Sequence, residues 1–227
     1  MTWLAIDTAT DRASVALGGP GGTMAQETII GARRHAAGLL LAVEACLERA
    51  GMTYGHIEGI ALADGPGSFT GLRVGAAVAK ALIRADRIPF WVAPSLQVVA
   101  AGAAVEQGAT VVAVANALRG ELFAAAYRFW VGRVQTVLIP TVVTPSGLLQ
   151  RLTGPFVVAG PAAPVLGGEP SWPDAVRLLE LVGAAGGARL VAAPDRWEPE
   201  YGRPAEAQAK WEREHGQLLA HPASRAG

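Results

Sequence analysis

The sequence predicts an α/β fold in two similar lobes, each a mixed sheet flanked by helices. Three observations predict it. Short apolar runs alternate with stretches of helical period. Two hairpins precede the first helix, so antiparallel strands feed an α/β crossover arrangement. The order strand-strand-strand-helix-strand-helix then begins again near residue 110. A single α/β domain also shows echoes of itself, so the recurrence is either a true duplication or the ordinary rhythm of the class.

Trp3 to Asp7 reads as a first strand and Ala13 to Leu17 as a second, with a polar turn between them. Met24 to Ile30 is a third strand. The helix after Gly31 carries Leu39, Leu40, Val43 and Leu47 on one face and stops at Gly51. Ile57 to Ala63 is a fourth strand, Gly65-Pro66-Gly67-Ser68 a tight loop, Gly71 to Arg84 a second helix, Ile88 to Val92 a short strand and Ser95 to Val105 a third helix. The second round comprises strands at 111–114, 122–129 and 136–143. A short helix over 146–152 follows with Ser146 as its expected cap, then a strand at 156–160 and a helix at 174–182. Pro204 to Leu219 reads as a charged amphipathic helix. The expected division is an N-terminal lobe at 1–107, a smaller C-terminal lobe at 108–200, a helix at 201–219 packing back on the lobes, and a frayed tail at 220–227.

Composition limits the function classes. The 227 residues are 51% hydrophobic and 17% charged, enough for a sizeable core. Lys+Arg and Asp+Glu are 19 each, which argues against a dedicated nucleic-acid binder, whose affinity comes largely from neutralised phosphates. Any RNA contact is expected to be local or shared with a partner. No run of 18 apolar residues escapes Gly, Pro or charge, and the N-terminus has an acid and no basic region. One cysteine, Cys46, excludes an internal disulfide framework. A cytoplasmic protein is expected.

Two segments carry the chemistry. Asp7 ends the first strand, followed by Thr8 and Thr10; its carboxylate either caps the turn or faces a cleft where it holds a metal or phosphate. The run Gly65 to Arg73 joins a strand to a helix, a junction that suits an anion. It is neither a P-loop nor G-x-G-x-x-G. Asp7, Thr8, Gly67 and Ser68 are thus candidates for a vestigial nucleotide or anion site. In the helix that follows, Gly71, Gly75 and Ala79 recur every fourth residue beside Ala76 and Ala77, so another helix, of this chain or of a second one, can approach closely. If the second helix is from a partner, Gly75→Trp blocks pairing and leaves the fold intact. The four histidines form no HxxxH or HExxH pair, so no metal site or cofactor is expected and a metallopeptidase is disfavoured. In the second round the position of Asp7 is taken by Asn116, which cannot ionise, so a two-carboxylate catalytic cleft is half missing. A nucleotide-dependent enzyme of the same fold is the alternative reading.

Leu4-Ala5-Ile6-Asp7-Thr8-Ala9-Thr10, the long run from Gly65 to Gly75, Lys80, Arg34-His35-Ala36 and Pro199-Glu200-Tyr201-Gly202-Arg203-Pro204 resemble the TsaB (YeaZ) family. The resemblance covers about residues 2 to 212. It departs at Asn116-Ala117-Leu118-Arg119, where the family usually has Asp-Ala-Arg-Arg. It implies a duplicated actin/Hsp70-like, ribonuclease H-like fold and a subunit with no catalytic residues of its own. Such a subunit pairs with the catalytic paralogue TsaD and associates with the ATPase TsaE. Together they form threonylcarbamoyladenosine in tRNAs reading ANN codons, and tRNA is met only through that complex. It further implies a partner face on the two N-lobe helices, carried over here to His35, Leu39, Val43, Phe69, Thr70, Gly71, Leu72, Gly75, Val78 and Ala79. Without its partner, such a face is expected to form a homodimer.

Overall fold

The computed structural model describes residues 1–19, 22–31, 35–103 and 105–202; the expected helix at 204–219 and the tail lie outside them. The first lobe contains β1 (Trp3–Asp7), β2 (Arg12–Gly19), β3 (Gly22–Ile30), α1 (His35–Arg49), β4 (Gly59–Ala63), α2 (Phe69–Asp86), β5 (Phe90–Ala93) and α3 (Ser95–Ala101). The second contains β6 (Thr110–Asn116), β7 (Leu122–Trp130), β8 (Arg133–Val143), α4 (Pro145–Arg151), β9 (Phe156–Ala159) and α5 (Ala175–Leu181), followed by β10 (Arg189–Leu190). Among the described residues the first sheet has the order β10-β5-β4-β1-β2-β3 and the second β8-β7-β6-β9.

The two sheets share one wiring. β1 is antiparallel to β2 and parallel to β4; β6 is antiparallel to β7 and parallel to β9. In both, the leading strand is buried on two faces, which is why it reads as a continuous apolar run. Leu4 and Ile6 point toward α1 and α2, whereas Trp3 and Ala5 point toward the other sheet. Val111 and Ala113 join that shared core, and Val112 and Val114 face α4.

Between the sheets lie α3 and α5, exchanged across the lobes. α3, from the first round of elements, packs on β6 and β7; α5, from the second, packs on β1, β2 and β4. Ala5, Ala16, Ala61, Ala63, Ala113 and Ala125 line this layer, and their small side chains let the helices lie close to the sheets. The lobes therefore share a core rather than meeting at a bare hinge.

Three local expectations change. The cap of α4 is Thr144, whose hydroxyl accepts from the Gly147 amide at 3.2 Å, rather than Ser146. The third helix stops at Ala101, with Gly102 following, instead of reaching Val105. The stretch expected to stay in the second lobe, up to residue 200, instead returns to the first. β10 pairs antiparallel with β5, through Arg189 with Val92 and Leu190 with Trp91, and residues 191–202 run on across that lobe. A two-residue strand between Ala188 and Val191 carries no periodicity that a sequence could display.

Candidate functional site

The α2 helix has three faces, and they correct the expected partner contacts. Gly71, Leu72, Gly75, Ala76, Ala79 and Ile83 are turned inward. A Cβ on Gly71 would overlap the Thr8 carbonyl oxygen, and one on Gly75 would lie 2.5 Å from Thr8 Oγ1 and 3.2 Å from Leu62 Cδ1. The small-residue stripe thus seats α2 on the end of β1, inside its own lobe. On α1, Leu39 and Val43 are likewise fully buried in the core beneath the helix. Leu39, Val43, Gly71, Leu72, Gly75 and Ala79 are therefore packing residues, not surface residues. Gly75→Trp would wedge α2 off its sheet.

Phe69 and Thr70 are exposed and Val78 half-buried. His35 starts α1, and its side chain lies outside the described set. The outer surface of the helix pair is completed by residues outside the expected partner set: Leu41 and Leu40 on α1, 65% and 47% exposed, the latter turned away from the face of Leu39, Val43 and Leu47 on which it was expected, and Ala77 and Ala81 on α2, with Val74 half-buried at their edge. The sequence signal was the second apolar residue in each helical turn, Leu40 and Leu41 beside Leu39, more than a single core-facing stripe needs.

A second face of α2 is covered by the returning chain. Arg84 pairs with Asp195 at 2.9 Å and Lys80 with Glu198 at 3.0 Å. The Tyr201 ring lies 4.7 Å from that of Phe69, and its hydroxyl is 3.4 Å from Arg73 Nε. Trp197 anchors this strap by an edge-on contact with Phe90, ring centres 4.9 Å apart.

At the end of β1, Asp7 and Thr8 have no solvent exposure. Asp7 Oδ1 accepts from the Ala9 amide at 3.4 Å, and Asn116 Oδ1 accepts from the Leu118 amide at 2.7 Å. The two residues hold equivalent places, and both cap the turn after their strand. Asp7 Oδ2 and Thr8 Oγ1 have no hydrogen-bond partner. Burial, with Asp174 adding repulsion, pushes the Asp7 carboxyl up to about 7. The Gly-rich loop is also turned in on itself. The Gly65 amide donates to Ser95 Oγ at 3.0 Å, the Ser68 amide to the Ala9 carbonyl at 2.7 Å, and the Gly71 amide to Ser68 Oγ at 3.2 Å. Gly67 abuts Ala9 so closely that a Cβ there would overlap it. Asp7, Thr8, Gly67 and Ser68 accordingly form a helix-capping and packing unit rather than an open anion cradle. Among the described residues no three His, Cys, Asp or Glu side chains gather as metal ligands, and no helix is long and apolar enough to cross a membrane.

Between the sheets and the strap is a cavity of about 360 Å³. Asp64, Gly65 and Pro66 bound it from the first lobe, Phe123, Thr141 and Val142 from the second, and Arg189, Glu200 and Gly202 from the returning chain. Asp64 is 3% exposed, and burial pushes its carboxyl up to about 7 although Arg189 Nη2, 3.4 Å away, acts in the other direction. The sequence reading missed Asp64. The signal was present: Ile60-Ala61-Leu62-Ala63-Asp64, like Leu4-Ala5-Ile6-Asp7, is an apolar run ending in an acid, here one residue later in the register, and the two strands are parallel neighbours whose carboxyl ends form the usual ligand crevice.

The duplicated wiring, the exchanged helices and the crevice at the strand ends define a two-lobed α/β protein of the actin/Hsp70-like class, one whose glycine loop is closed. The family model for TsaD, tRNA N6-adenosine threonylcarbamoyltransferase, matches residues 24–159. The tRNA threonylcarbamoyladenosine biosynthesis protein TsaB of Escherichia coli K12 is 35% identical over 202 residues, covering 86% of this chain and 84% of that one. A solved Pseudomonas aeruginosa protein described as similar to the peptidase YeaZ superposes with a TM-score of 0.75 at 29% identity, over 89% of this chain and 99% of the other. YeaZ from the same organism gives 0.69 at 30% identity, over 80% and 90%. The chain belongs to the TsaB family of tRNA threonylcarbamoyladenosine biosynthesis proteins.

Proposed function

We propose that the chain is a non-catalytic docking subunit for the catalytic paralogue TsaD, met through the outer faces of α1 and α2. The observation that carries this reading is the exposure of Leu40 and Leu41 on α1 beside the small, flat surface of Ala77 and Ala81 on α2. Both helices lie on the same side of one sheet. Apolar side chains gain roughly 25 cal/mol per Å² when a partner covers them, and alanines let an opposing helix approach closely. The paralogue shares the family model, so its own helix pair offers a self-similar surface of the kind that builds two-fold pairs. A homodimer through the same face is the expected default when TsaD is absent. In this reading the ATPase TsaE and tRNA are engaged by the complex.

The alternative, an independent nucleotide-dependent enzyme, receives no support from the glycine loop, whose Gly65 and Ser68 amides are already used inside the chain. The test is co-purification of the full chain with TsaD from the same cell. Leu41→Arg and Ala77→Arg, both at exposed positions, are expected to abolish co-elution while leaving the melting temperature unchanged. Undiminished co-elution of both variants would refute the docking face. ATP turnover by the pure chain that vanishes in Asp7→Ala would favour the enzyme instead.

A further inference from the structure

The cavity between the lobes has a composition that selects its occupant. Its interior acid is Asp64, held at the end of β4 with Arg189 Nη2 3.4 Å away and Glu200 also within electrostatic reach. A second carboxylate, Glu200, stands on the strap, and the Glu200 carbonyl oxygen closes directly over Gly65. That strap residue is fixed in place, since its amide donates to the Asp64 carbonyl at 2.7 Å. The cation on the lining, Arg189, is already turned to Asp64, so an entering anion would meet two acidic side chains and a carbonyl oxygen against a guanidinium that is engaged within the site. The loop amides that serve phosphates in related crevices point elsewhere, toward Ser95 and Ala9. The remaining walls are Val92, Pro94, Phe123, Pro140 and Val142, apolar and partly aromatic. An apolar sleeve ending in carboxylates matches an alkyl chain with a cationic head, the stem lying on the prolines and Phe123 and the head on the acids.

We infer that the interlobe cavity is a binding site for an alkylguanidinium or alkylammonium group, taken in preference to phosphates. The inference is independent of the docking face on α1 and α2, because none of the cavity's lining residues lies on those helices. The same chemistry has two sources, a free small amine or the Arg or Lys side chain of another protein. Because lining groups come from both lobes and the strap, an occupant ties the three together.

Ionisation gives the site a pH signature. Asp64 is faced by Arg189 from β10 and Glu200 from the strap, with Tyr127 of β7 also within electrostatic reach. Burial keeps its carboxyl protonated up to about pH 7, so the cation meets a full charge only above that. The test is titration of the full-length chain with agmatine, N-acetyl-arginine amide and pyrophosphate, followed by backbone amide NMR and calorimetry. Agmatine or the arginine amide is expected to bind saturably in the millimolar range or tighter, with shifts at both Gly65 and Thr141, and several-fold more tightly at pH 8 than at pH 6. Asp64→Asn is expected to weaken binding about tenfold and Glu200→Gln about threefold. Glu200 is exposed, so its variant remains informative should Asp64→Asn fail to fold. Tighter binding of agmatine assigns a small-molecule source, and tighter binding of the arginine amide a protein side chain; either supports the inference. No saturable binding of either cation, equal binding in both variants, or pyrophosphate producing the same shifts would overturn it.

Discussion

Replacing Gly71 with alanine is the sharpest test of how α2 is seated. The added methyl collides with the Thr8 carbonyl oxygen, a backbone atom of β1 that cannot swing aside. Against this stands the helix-propensity gain of Ala over Gly, about 1 kcal/mol. Overpacking of a tight core costs about 1–3 kcal/mol, and a backbone neighbour places this site at or above the top of that range. The net loss is about 2 kcal/mol, which for a chain of this size lowers the melting temperature by about 4–8 °C. At Gly75 the nearest atom is the Thr8 hydroxyl, which has no hydrogen-bond partner and can give way, so the loss is smaller, about 1 kcal/mol. Thermal melts and urea titrations of the two single variants, with Ala77→Ser as an exposed control, measure both. The expected order of stability is control, Gly75→Ala, Gly71→Ala. A Gly71→Ala protein as stable as the parent, but unable to pair with TsaD, would refute the inward seating and return this stripe to a partner interface.

Other expectations concern charge and the strap. Asp7 and Asp64 have folded-state pKa values raised from 3.8 to about 7, so the native chain binds more protons than the unfolded chain across that interval. Stability should therefore fall as pH rises from about 4 to 7 and level off above; Asp7→Asn should remove part of the slope. The rise at Asp7 corresponds to at most about 4 kcal/mol, gained by the variant at pH 8 and largely absent at pH 4 in urea titrations. Equal urea midpoint differences at both pH values would contradict this. Trp197→Ala removes the buried anchor of the strap and should cost about 3–5 kcal/mol, with faster amide exchange at Glu200. Arg84→Ala breaks an exposed pair with Asp195 and should cost under about 1 kcal/mol; denaturant midpoints separate the two.

The elements of both lobes were legible because leading strands buried on both faces, such as Leu4-Ala5-Ile6 and Val111-Val112-Ala113-Val114, are apolar throughout, whereas the helices carry their apolar residues at helical spacing. The glycine-rich run and the turn-capping alternative for Asp7 were legible too, since both rest on local geometry. Motifs reaching from Leu4 to Gly202 carried the resemblance to the TsaB family. What the sequence could not determine is direction and distance. Gly71, Gly75 and Ala79 mark a close approach, but only the packed structure decides that the approaching body is β1 rather than a partner. Likewise Asp64, Phe123, Arg189 and Glu200 are far apart along the chain and share no period. They meet because β10 returns to the first sheet and α3 and α5 are exchanged between lobes. Local patterning follows from where each side chain must point along its own element. A cavity is made by elements that fold against one another, and the chain order holds no record of that until the core closes.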